Sequence, residues 1–175
     1  MDMRSDLLQA GKIEGNITVF GYAGMPSFGE PVDYIAYIED HDIVPTDSFF
    51  ELVCPYAPLS AIQARVAISY CDLGENTQLV DAHAKLGEHF HFRPSLFMKF
   101  LVGVHGRWLT RENVLKYDGT SNVAFLSVNQ DGIGEVVVRF IRDAHSHIWL
   151  LEAELPTPNY TFFGGTRIFA SSAVL

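Results

Sequence analysis

Several things are scarce in this sequence of 175 residues, and each scarcity removes a class of protein. Cysteine occurs only at Cys54 and Cys71, too few for a disulfide framework. No CxxC pair and no Cys/His zinc spacing is present. Both thiols are expected to be free and buried, in a reducing compartment. Cations are few as well: Lys plus Arg is 12 against 21 for Asp plus Glu, a net charge of −9. A surface that acidic repels phosphate, so strong direct binding of nucleic acid is not expected. No apolar run approaches the roughly 18–20 residues of a membrane helix, so no membrane partner is expected. The start, Met1-Asp2-Met3-Arg4-Ser5-Asp6, lacks the pattern of a signal peptide. With no secretion signal, the sequons Asn16-Ile-Thr18 and Asn159-Tyr-Thr161 read as chance matches. GxSxG, P-loop and GxGxxG are all missing, and Gly132-Ile-Gly134 reads as a turn fragment.

What is plentiful is apolar surface. Apolar residues make up 48% of the chain, enough for one packed core in one domain. Residues 1–27 hold Gly21, Gly24 and Pro26, which oppose any long element; at most one strand fits, over 16–22. They are expected to form an N-terminal arm, with a single domain over 28–175. Pro31 and the stripe Val32, Ile35, Ala36, Ile38 predict a short helix over 31–39. Strands are expected over 49–56, 64–70, 96–104, 122–128, 135–141, 145–155 and 160–170. Leu79, Ala82, His83 and Leu86 share a helical face, and Gly87 suits the end of that helix. Asp118-Gly119 and Asp131-Gly132 mark turns. The total, eight or more strands with one or two short helices, predicts an all-β fold. An antiparallel jelly-roll β-sandwich is preferred, because its long cross-connections accommodate the helices.

The seven histidines raise the question of a metal. His89-Phe-His91 and His145-Ser-His147 are HxH pairs, and on a strand each would present both imidazoles to one side. His145, His147 and Glu152 match the spacing of cupin metal sites, but no glycine turn precedes Glu152, so a continuous strand would send it to the other face. The main reading therefore has no metal, no cofactor and no catalytic residue. A metal site or active site on His89, His91, His145, His147 and Glu152 is the alternative. Asp72 with Glu75, and Glu152 with Glu154, read as solvated edge residues. The 13 phenylalanines suit a two-sheet core or subunit contacts better than a lipid-binding cavity.

Two resemblances add to this. His89-Phe90 followed by Arg93-Pro94 resembles the His-Phe-Pro-Gly-x-Pro stretch of hot-dog dehydratases, whose histidine works with an acid on the following helix. Here 95–104 reads as a strand without an acid. Four further stretches, in order, resemble coat proteins of picorna-like viruses. Phe28-Gly29-Glu30-Pro31-Val32 with Ile35 is similar to a segment that precedes their jelly roll. Phe92-Arg93-Pro94-Ser95-Leu96 with Lys99-Phe100 resembles one of their strands, with Pro94 in place of glycine. Val104-His105-Gly106-Arg107-Trp108-Leu109 resembles the turn and strand after it. Asn159-Tyr160-Thr161-Phe162-Phe163-Gly164-Gly165 resembles the start of their last strand. The resemblance implies a structural capsid subunit and not an enzyme. It implies assembly with copies of itself and other coat proteins into an icosahedral shell, in the host cytoplasm and then in the virion. The alternative is a small all-β enzyme or metal-binding protein, cupin-like or hot-dog-like.

Overall fold

The structure is a computed structural model, and it describes residues 21–24, 34–57, 66–88, 90–105 and 115–173. Its strands are β1 (Gly21–Gly24), β2 (Ile43–Pro45), β3 (Val66–Asp72), β4 (Thr77–Gln78), β5 (Asn122–Val128), β6 (Gly134–Arg142), β7 (Trp149–Glu154), β8 (Thr161–Phe162) and β9 (Arg167–Ala173). Its α-helices are α1 (Tyr34–Glu39), α2 (Asp47–Leu52), α3 (Leu79–Leu86) and α4 (Pro94–His105). The fold is dominated by β-structure with few short helices, as expected. Seven strands form one sheet in the order β1-β3-β9-β5-β6-β7-β2, and β4 pairs with β8 in a second, two-stranded sheet. The β5–β9 and β2–β7 pairs are parallel and the others antiparallel. The second large sheet of a jelly roll is not among the described strands. β1, at the end of the segment expected to be an arm, pairs with β3.

Alternation along the strands builds two cores. On β5, Ala124, Leu126 and Val128 face one side, where α1, α2 and α4 pack, while Val123 and Phe125 face the other. β6 sends Val136, Val138 and Phe140 to the first side and Val137 to the second. The second core is smaller and is closed by Ala82 of α3 and Phe162 of β8. Both faces of the sheet are therefore covered over its centre.

Three sequence expectations fail here, each for a local reason. The run over 96–104 is helical. Pro94 begins α4, where its missing N–H costs nothing, and the Phe97 N–H donates to the Arg93 carbonyl at 2.9 Å. All seven residues from Leu96 to Val102 are buried, so no polar face interrupts the run and its period cannot be read. Even Lys99 is only 3% exposed, and burial holds its amine below the ordinary lysine value. The expected strand over 49–56 is α2 followed by a 3-10 turn, Cys54–Tyr56. Thr46 caps it: its Oγ1 accepts the Phe49 N–H at 3.4 Å, and Asp47 sits in the positive first turn. These caps outweigh the β-preference of Phe49 and Phe50. Last, the strand over 160–170 is broken by Gly164-Gly165, with Gly165 at φ 92, into β8 and β9. The expected helix over 31–39 is α1, with 31–33 outside the described residues, and of the strand over 16–22 only 21 and 22 are described, in β1.

Phe100 is the hub of the larger core, with ring centroids 5.1–6.3 Å from those of Phe92, Phe97, Phe140 and Phe169. Phe100→Ala is expected to cost roughly 3–5 kcal/mol in chemical denaturation. Phe163, 74% exposed, provides the control: Phe163→Ala should change stability by less than about 0.5 kcal/mol.

Candidate acid–base site

The parallel ladder between β5 and β9 covers Asn122↔Arg167, Val123↔Ile168 and Ala124↔Phe169. Beyond it the strands part, and residues 90–92 lie between them. The Phe92 N–H donates to the Phe125 carbonyl at 2.8 Å, and the Ser127 N–H donates to the Phe92 carbonyl at 2.9 Å. On the β9 side the Ser171 N–H donates to the Phe90 carbonyl at 3.0 Å. Phe92 enters the larger core and Phe90 the smaller one. His91, between them, is thereby fixed at the edge of the second face.

A second imidazole comes from α3. His83 rests on the rings of Phe90 and Phe125, each 4.9 Å away centroid to centroid. The carboxylate comes from Glu135, the second residue of β6 and opposite Ser127 across the ladder. Its Oε2 is 2.6 Å from His91 Nε2, a hydrogen bond, and 3.1 Å from His83 Nε2. His83 Nε2 is shut off from water and makes no hydrogen bond, so its contact with Glu135 is electrostatic only. All three side chains keep some access to solvent.

The His91 contact assigns its tautomer. An ionised carboxylate only accepts, so the Nε2 of His91 that faces it carries the hydrogen. That leaves Nδ1 of His91 with the free lone pair, the atom that acts as a base. Burial pushes His83 below the ordinary imidazole value; the Glu135 charge opposes this and the His91 charge adds to it. Two imidazoles thus share one carboxylate, one hydrogen-bonded to it and the other favoured in its neutral form. Such an arrangement can take up and return a proton.

Of the residues singled out from sequence, only His91 belongs to this cluster. His89 lies outside the described residues. His145 and His147 occupy the turn between β6 and β7, not a strand; His145 is 99% exposed and His147 has a positive φ of 61°. Asp143 shapes that turn by accepting the His145 N–H at 2.8 Å, and Arg142 Nη2 lies 3.3 Å from His147 Nδ1. Glu152 is three registered pairs along the ladder from Arg142, about 10 Å away. It is bound to Arg139 at 3.0 Å, and Glu154 meets the same arginine at 3.3 Å while accepting from the Tyr160 hydroxyl. Asp72 forms a two-pronged pair with Arg167. Among the described residues no group of three or more His, Cys, Asp or Glu side chains is arranged to hold a metal ion. The His83–Glu135–His91 cluster is closed on its own carboxylate oxygen. A thiol nucleophile finds little support, since burial lifts Cys54 to about 11. A shallow open cleft of about 410 Å³, lined by Leu115, Lys116, Tyr117, Asp118 and Arg167, lies at the opposite end of β5.

His83 and Glu135 escaped the sequence reading. His83 stood on an apolar helical face, and only the tertiary fold brings Glu135 to it. Comparison with known proteins adds no name: no family model, no curated protein and no solved structure matches this chain.

The His83 shift makes a pH prediction. Unfolded, the group titrates near about 6.5; folded, it titrates lower. Between the two values the unfolded chain binds more protons, so stability rises with pH there. The contribution is complete above the unfolded value and is lost as pH falls through the folded one. Denaturation midpoints measured from pH 8 down to about 5 should therefore fall below about pH 6.5, and His83→Gln should remove part of that slope.

Proposed function

We propose that this chain is an acid–base catalyst, with His91 and Glu135 as the proton-transfer pair and His83 as a second, neutral imidazole. The observation that carries the reading is the meeting of two imidazoles, from α3 and from residues 90–92, on one carboxylate oxygen of β6. His91 Nδ1 takes a proton from a bound substrate, and the imidazolium that forms is stabilised by the Glu135 carboxylate at Nε2. The proton then returns to the product or to water. The hot-dog comparison supports this in one respect: the segment after the histidine run is a helix, α4, and not a strand. The acid differs, since α4 carries none and β6 supplies it. Proton-transfer substrates form the test panel: thioesters and esters for hydrolysis, β-hydroxy acyl compounds for dehydration, and enolisable ketones. Turnover in one class should fall about 10²–10⁴-fold in His91→Ala and in Glu135→Gln. It should survive a chelator, which the metal-binding alternative would not allow. Turnover unchanged in both variants, or none across the panel, removes the reading.

A shell-building subunit is the second reading. Val44, Phe50, Val80, Leu155 and Phe163 are large apolar side chains that stay exposed, and subunit contacts would cover them. Against it, the stretch that resembles a coat-protein strand spans the Phe92 bridge and the first turns of α4. Native mass spectrometry decides: a large symmetric assembly supports it, and a monomer at high concentration ends it.

A further inference from the structure

The carbonyls of Phe90 and Phe92 accept from backbone N–H groups, but the carbonyl of His91 is held by a side chain. Ser171 Oγ donates to it at 2.8 Å, while the Ser171 N–H holds the preceding carbonyl of Phe90. Ser171 is buried on β9, one position beyond Ala170, which lines the smaller core. A buried hydroxyl needs a partner, and a backbone acceptor at this spot needs a donor. The two requirements are met by each other, at the one residue whose imidazole reaches Glu135 at 2.6 Å. We propose that Ser171 is a positioning residue: its hydroxyl sets the backbone of His91, and through it the His91–Glu135 hydrogen bond. The inference rests on the acid–base reading for its purpose, though not for its test.

The bond itself is the readout. The His91 Nε2 proton should give a low-field proton NMR signal, assigned by its loss in Glu135→Gln. Ser171→Thr and Ser171→Val compare side chains of nearly equal size that differ in the hydroxyl. A backbone amide spectrum unchanged away from residues 90–92 shows that both fold. With Thr the signal should keep its position and its rate of exchange with water within about twofold; with Val, exchange should quicken about tenfold or the signal vanish, as loss of one hydrogen bond would allow. Equal behaviour of the two variants, whether both keep the signal or both lose it, overturns the proposal. Loss confined to Val in a chain that turns over no substrate overturns the acid–base reading and leaves the role of Ser171 standing.

Discussion

The parallel ladder between β5 and β9 stops after Ala124↔Phe169, and residues 90–92 fill the gap that opens there. An unpaired gap inside a covered sheet would leave backbone donors and acceptors without water or partners, which folded chains rarely tolerate. The inserted residues meet that requirement. The segment is not a regular strand, and Phe92 enters one core while Phe90 enters the other, so a single short segment fastens both layers to the sheet. It also fixes where Pro94 stands, and hence where α4 enters the larger core.

The same constraint explains why charged side chains gather on the second face. The first face is filled by an aromatic cluster built on Phe97, Phe100, Phe140 and Phe169, and the buried polar side chains beside it are few: Lys99, Asn122 and Ser171. The second face has a smaller core and a thinner cover, α3 with the β4–β8 pair. Polar residues fit at its margins. Glu135 and Arg139 share this face of β6 with Val137 between them, and each ends in its own charged group: Glu135 with two histidines, Arg139 with Glu152, Glu154 and, through Glu154, Tyr160. Burial and the bond to Glu154 raise the Tyr160 hydroxyl well above the ordinary tyrosine range, so it stays a donor. Compared with these, the turn that carries His145 and His147 is open to water and holds its shape through Asp143.

How much of this the sequence displays depends on whether a polar side or a turn signal marks each element. β3 was legible by its alternation, and α3 by an apolar stripe that ends at Gly87 with φ 77. β5 and β6 are buried on both faces at their centres but were legible because the Asp118-Gly119 and Asp131-Gly132 turns bound their β-rich runs. α4 was not, because a helix buried all round has the hydropathy of a buried strand. α2 was missed because its signal lies in Thr46 and Asp47, outside the aromatic run that drew attention. Of the site, His91 was visible as half of an HxH pair. Its true partners were not: position 83 belongs to a helix and position 135 to the strand beyond the Asp131-Gly132 turn, and no local spacing links them.

The β2–β7 pair has a consequence for the order in which the chain folds. β2 lies at the edge of the large sheet, and among the described strands its one pairing partner is β7. Thr46, at its end, bonds to Leu151 across a sequence separation of 105 residues. Local contacts cannot recruit this strand. It must wait until β5, β6 and β7 have formed their antiparallel run, and then close a loop that spans most of the chain. On a ribosome, where earlier residues emerge first, β2 lacks its pairing strand until β7 has been made.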